Sequence, residues 1–278
     1  MWGVSYWVFP LISAFCWLGM LMGMLIHWQV NNNGAHLPPM AATQTIAYIS
    51  DIGSQELKPL FIAGSCVTTV FLDLSFLSER FLRHKGRLAR NTSMFQKVLS
   101  WVSIGFAAVG TVGLILLSIF DNWRHNTLHN IFLVLFIGGY VISAIFICWE
   151  YQRLGIHFRQ HAILRISFWI KLFFILIEIA LAIGFGVCSR TGRYNAAAVL
   201  EWIIAFVFTF YVFSFFIDLI PAVRTKDPAT RFSKDGERVG GFGTGPGETM
   251  MQMEQNDGAA NSQTTVGQND ERVVNDVK

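Results

Sequence analysis

Asp121, His125 and His129 follow one another at intervals of four residues, just ahead of a long apolar run. On a helix that spacing places a carboxylate and two imidazoles on one face. Such a trio can hold a cation, work as acid and base, or grip a polar headgroup. It can equally be a capped helix end with interfacial histidines. Two histidines one turn apart make half a metal site, and nothing in the sequence supplies the other ligands. No metal and no cofactor is therefore expected. Asp51 and Glu201 fall in segments expected at the same end of the molecule and extend the group into a polar outer cluster.

A second set of ionisable residues lies inside apolar segments: Asp73, Lys171, Glu178 and Asp218. Charge at membrane depth is expensive and points to pairing or function. Asp73, Lys171 and Asp218 are expected to share one depth near the inner end, with Lys171 pairing one of the acids. Glu178 follows Lys171 by seven residues. It shares a helix face with Lys171 but stands ~10 Å along the axis, so it needs another partner.

These residues are positioned by membrane helices. Of the 278 residues, 53% are hydrophobic and 14% charged, against about 25% charged in soluble domains. A net charge of +3 is too small to suggest nucleic acid. A bilayer core of ~30 Å takes ~20 apolar residues in a helix. Six segments qualify: Val8–Ile26, Leu60–Leu77, Val98–Phe120, Ile131–Trp149, Ile166–Cys188 and Val199–Ile220. The expected fold is all-α, a six-helix transmembrane bundle over residues 1–221. A polar tail, 222–278, is too poor in aromatics to offset chain entropy and reads as disordered and cytosolic.

Short basic loops stay in the cytosol. The second connection holds Arg80, Arg83, Lys85, Arg87 and Arg90, the fourth Arg153, Arg159 and Arg165, and the tail opens with Arg224 and Lys226. The first and third connections balance their few bases with acids. Both termini are therefore expected inside. The basic residues of the second connection can set topology or bind anionic headgroups, at ~1 kcal/mol each. Most tryptophans lie near span ends, as interfacial rings do, and Trp17 is the mid-span exception. Gly19 with Gly23, and Ala180 with Gly184, offer small-residue packing seams. Cys16, Cys66, Cys148 and Cys188 form no disulfide framework.

Four features in order resemble the Frag/DRAM/Sfk family, whose domain also forms the N-terminal part of CWH-type proteins. The segment Tyr48-Ile49-Ser50-Asp51-Ile52-Gly53, followed by Pro59, is similar to its ISD-x-G…P signature. Asp121 to His129 is similar to its D…H…H motif, and Glu201-Trp202 to its EW pair. Six spans with a variable polar tail is its layout. The resemblance covers about Pro10 to Pro221 and adds Gly53 to the outer cluster. It is nearest in layout to fungal Sfk-like plasma-membrane proteins.

The resemblance implies a role in lipid organisation and phosphoinositide signalling, through a phosphatidylinositol 4-kinase complex, or in autophagy-type membrane processes. Partners would be membrane lipids, anionic phosphoinositides among them. The plasma membrane is the expected site, with vacuole or lysosome and Golgi or endoplasmic reticulum as alternatives. The competing reading is a GPI-anchor lipid-remodelling factor, or a lipid-modifying enzyme working at the outer Asp/His cluster.

Overall fold

The computed structural model describes residues 6–85, 88, 94–157 and 162–224. An apolar run in hydrocarbon must satisfy its backbone groups within itself, which only a helix does. Six helices are long and apolar enough to cross a membrane. They are α1 (Val8–Ile26, prolonged by a π-helical turn His27–Asn31), α3 (Lys58–His84), α4 (Met94–Ile119), α5 (Asn126–His157), α6 (Ala162–Arg190) and α7 (Tyr194–Arg224). A single-turn helix, α2 (Ile49–Ile52), sits in the first connection. The chain is a multi-pass membrane protein, all-α among the described residues.

The helices outrun the expected spans because nothing stops them at the edge of the apolar stretch. Pro59 suits the first turn of α3, where its missing N–H costs nothing. That helix then continues through Ser78–His84, seven residues past the expected span. Arg80 and Arg83 are thus helical, not loop, residues. Arg87, Arg90 and the tail beyond Arg224 lie outside the described residues.

Around the bundle, α1 packs on α3 and α7, α4 on α3 and α5, and α6 on α5 and α7. The tightest seam is between α4 and α5. A Cβ on Gly139 would stand 2.5 Å from the Gly110 nitrogen, and one on Gly113 would stand 2.5 Å from the Phe136 nitrogen. Only glycine lets two backbones come this close. The seams expected from spacing are looser. A Cβ on Gly19 would meet nothing within 4 Å, and one on Gly184 would reach Leu200 at 3.5 Å. Mid-span Trp17 is buried and donates from Nε1 to the Ala205 carbonyl at 2.9 Å, tying α1 to α7. Helix α6 is the least embedded: 6% of its apolar window is buried, against 33% or more in every other span.

Candidate functional site

The first connection folds back onto the bundle end and carries Asp51 into it. Asp51 is fully buried. Its carboxylate accepts from the Tyr48 backbone N–H at 3.0 Å, from Gln44 Nε2 at 2.9 Å and from Asn122 Nδ2 at 3.3 Å. Burial pushes the carboxyl above its ordinary range, while these three donors and the nearby His129 pull it back down. Burial, with Glu201 and Asp51 close by, also raises the Tyr48 phenol.

Glu201 enters from the first turns of α7. It accepts the Ile49 backbone N–H at 2.8 Å, one of the donors a helix start leaves unpaired. Beside it, Trp202 Nε1 donates to the Ala47 carbonyl at 3.0 Å. Asn195 Oδ1 accepts from the backbone N–H of Thr45 at 2.7 Å and of Ile46 at 3.1 Å. Glycine at 53 has a packing cause. A Cβ there would fall 2.6 Å from a Phe61 ring carbon, so this turn seats on α3 only without one.

Asp121 forms a second node of the same end. It accepts from Lys58 Nζ at 2.6 Å and caps the Arg124 N–H at 2.7 Å. Desolvation acts upward on this carboxyl, but the Lys58 and Arg124 contacts outweigh it and hold it below the usual range. Lys58, Gln44 and Asn195 were not singled out by sequence reasoning. Lys58 and Asn195 stand at helix starts with partners 63 and 150 residues away, and Gln44 lies in an irregular segment seven residues before Asp51, so none carries a spacing signal.

The two histidines part company. His129 is buried and its Nδ1–H donates to the Phe120 carbonyl at 2.9 Å, while His125 is exposed, edge-on to the Phe120 ring. The backbone N–H groups of His125 and His129 each donate four residues back, at 3.0 and 2.9 Å, so the one-turn spacing holds, but only Asp121 and His129 are buried. His129→Ala is therefore expected to lower stability by ~1–3 kcal/mol, leaving a half-buried carbonyl without this donor. His125→Ala should stay within ~0.5 kcal/mol, as surface changes do. Thermal unfolding of the two purified variants measures the asymmetry; equal losses would contradict it. Among the described residues no group of three metal-ligating side chains converges.

At the opposite end the intramembrane charges sort into separate contacts. Lys171 pairs with Asp218, which also accepts from Ser167 Oγ. Lys171 also faces the rings of Tyr151 and Phe215, at 4.8 and 4.3 Å. Asp73, expected at the same depth, instead accepts from Thr111 Oγ1 at 2.8 Å, which in turn meets the Tyr140 hydroxyl. Arg83, expected to face lipid, is buried. Its guanidinium donates to Glu79 at 2.6 Å, and the Tyr151 hydroxyl donates to the same carboxylate at 2.6 Å. A carboxylate one turn back on the helix, in an apolar setting, captures the guanidinium before lipid can. Arg80 is half-buried near Glu150, and Lys85 is exposed with its ammonium over the Phe81 ring. Glu178 Oε1 is buried without a hydrogen-bond partner among the described residues.

Residues 5–222 match the family model described as the Frag1/DRAM/Sfk1/Cwh43P N-terminal domain. The chain is 29% identical over 222 residues to Protein sfk1 of Schizosaccharomyces pombe, an alignment covering 80% of this chain and 66% of that protein. It is 26% identical over 185 residues to Protein SFK1 of Saccharomyces cerevisiae, covering 55% of this chain and 52% of that protein. The chain thus spans just under two thirds and about half the length of these two relatives. No solved structure matches.

Proposed function

The chain belongs to the Frag1/DRAM/Sfk1/Cwh43P N-terminal domain family, and on that premise we propose that it is a non-enzymatic regulator of lipid organisation at the plasma membrane. It acts through its cytosolic basic surface toward phosphoinositides and the kinase complex that makes them. The observation that carries this reading is the state of Asp51. The one signature acid sits fully buried with its oxygens already accepting from three donors. An acid or nucleophile needs reach to a substrate; a carboxylate closed in this way holds a loop. Asp121 and Glu201 are occupied in the same manner.

The test compares the two ends in cells lacking the protein. One variant neutralises Lys85, Arg87 and Arg90 to glutamine; the other is His125→Ala. Three cations at ~1 kcal/mol each can supply up to about 100-fold in affinity for an anionic surface. The triple variant should fail to restore plasma-membrane phosphatidylinositol 4-phosphate at matched abundance, while His125→Ala restores it. The reverse pattern would overturn the proposal in favour of chemistry at the outer cluster.

A further inference from the structure

A cavity of about 90 Å³ lies among α1, α4, α5, α6 and α7, with Ile49 of α2 and Phe61 of α3 completing its lining. One water needs only ~10–15 Å³. Its wall is apolar over most of its surface, with Leu114, Phe136, Ala144, Ile175 and Phe208 among the lining residues. Tyr140, whose hydroxyl meets Thr111 Oγ1, lines it too, and three further polar residues interrupt it: Glu178, Glu201 and Tyr211. Glu201 is spoken for by the Ile49 N–H. The other two are not. Glu178 Oε1 and the Tyr211 hydroxyl are buried, and neither has a hydrogen-bond partner among the described residues. Tyr211 is only 5% exposed. Two orphaned polar atoms in one apolar cavity both destabilise the fold as it stands, which suits a site completed by a ligand.

We propose that this cavity binds a neutral membrane lipid by its hydroxyl group, which donates to the Glu178 carboxyl and accepts from the Tyr211 hydroxyl. The chemistry selects the class. A hydroxyl offers one donor and two lone pairs, so it can meet both atoms at once. An ester carbonyl only accepts, and an ammonium only donates. A phosphate head would bring its charge into an apolar cavity whose lining residues include no cation. Entry is from the side. Leu133, Ile137 and Val141 of α5 and Glu178 and Phe185 of α6 line the cavity while only half-buried, and α6 is the least embedded helix. The apolar body of the lipid would leave between those two helices. The site is separate from the cytosolic basic surface, so it stands or falls independently of the function proposed above.

The experiment uses the full chain purified in detergent and a photoreactive long-chain alcohol. Labelling should be saturable and map to α6 and α7. A sterol and a monoacylglycerol, the two obvious sources of a neutral hydroxyl, should compete, and the stronger of them names the source. Phosphatidylserine should not compete. Tyr211→Phe and Glu178→Leu should each cut labelling about fivefold, the share of one hydrogen bond. Neither variant removes a bond present in the protein, so thermal unfolding should be no worse than wild type. Tyr211→Phe changes one atom, and it keeps the test decisive if Glu178→Leu misfolds. Non-saturable labelling, undiminished labelling of Tyr211→Phe, or equal competition by phosphatidylserine would overturn the proposal.

Discussion

Replacing Asp51 by asparagine is expected to loosen the first connection, and replacing it by alanine to loosen it further. All three of its partners are donors: the Tyr48 N–H, Gln44 Nε2 and Asn122 Nδ2. An ionised carboxylate accepts at both oxygens. An amide keeps one acceptor and turns an NH2 toward a donor, so at least one buried donor loses its partner. Each such loss costs ~1–3 kcal/mol, and two together reach ~2–6 kcal/mol, a large part of a protein's net stability. The measurement is thermal unfolding of purified protein, paired with limited proteolysis between Ala35 and Lys58. Both variants should unfold at lower temperature and be cut faster in that segment. Wild-type stability in Asp51→Asn would refute the latch.

The inner ion pair should give the mirror-image result, in which two changes do less harm than one. Lys171 has 0% of its side chain exposed and Asp218 3%. Breaking such a pair leaves a charge buried without compensation and costs ~3–5 kcal/mol. Replacing both members by apolar residues removes the charges together and is often nearly neutral. Lys171→Met and Asp218→Leu are each expected to collapse abundance and unfolding temperature, and the double variant to recover most of the loss. Additive losses would mean that the pair contributes through other contacts. The neighbouring Glu79–Arg83 pair bears on this. With four charges balancing, removing one upsets the whole inner end.

The six spans were legible because length and apolarity alone decide them in a bilayer. Their ends were less so. Ser78–His84 reads as a basic connection, yet it is helix, because Glu79 and Tyr151 give Arg83 an internal partner. At the outer end, Asp51, Asp121, His129 and Glu201 do gather as their segments suggested, while His125 does not. A spacing of four sets residues one turn apart but cannot say which imidazole meets the bundle, and here only His129 reaches the Phe120 carbonyl. Lys58 and Asn195 escaped notice because their partners lie 63 and about 150 residues away, distances that no local pattern encodes; Gln44 is only seven residues from Asp51 but sits in a connection with no helical period. The glycine contact of α4 with α5 escaped for the same reason, since Gly110 and Gly139 sit on different helices.

The hydrogen bond from Ile49 to Glu201 joins residues 152 positions apart in the chain. Ribosomes add ~5–20 residues per second, so the first connection waits roughly 8–30 s for its last partner to be made. Glu201, Trp202 and Asn195, which clamp residues 45–49, all belong to the final helix. During synthesis the family's signature loop is thus an early-made part awaiting a late-made clasp. The outer end closes only on a chain whose sixth span has arrived, and a chain cut short before α7 leaves the Ile49, Thr45 and Ile46 N–H groups without these acceptors.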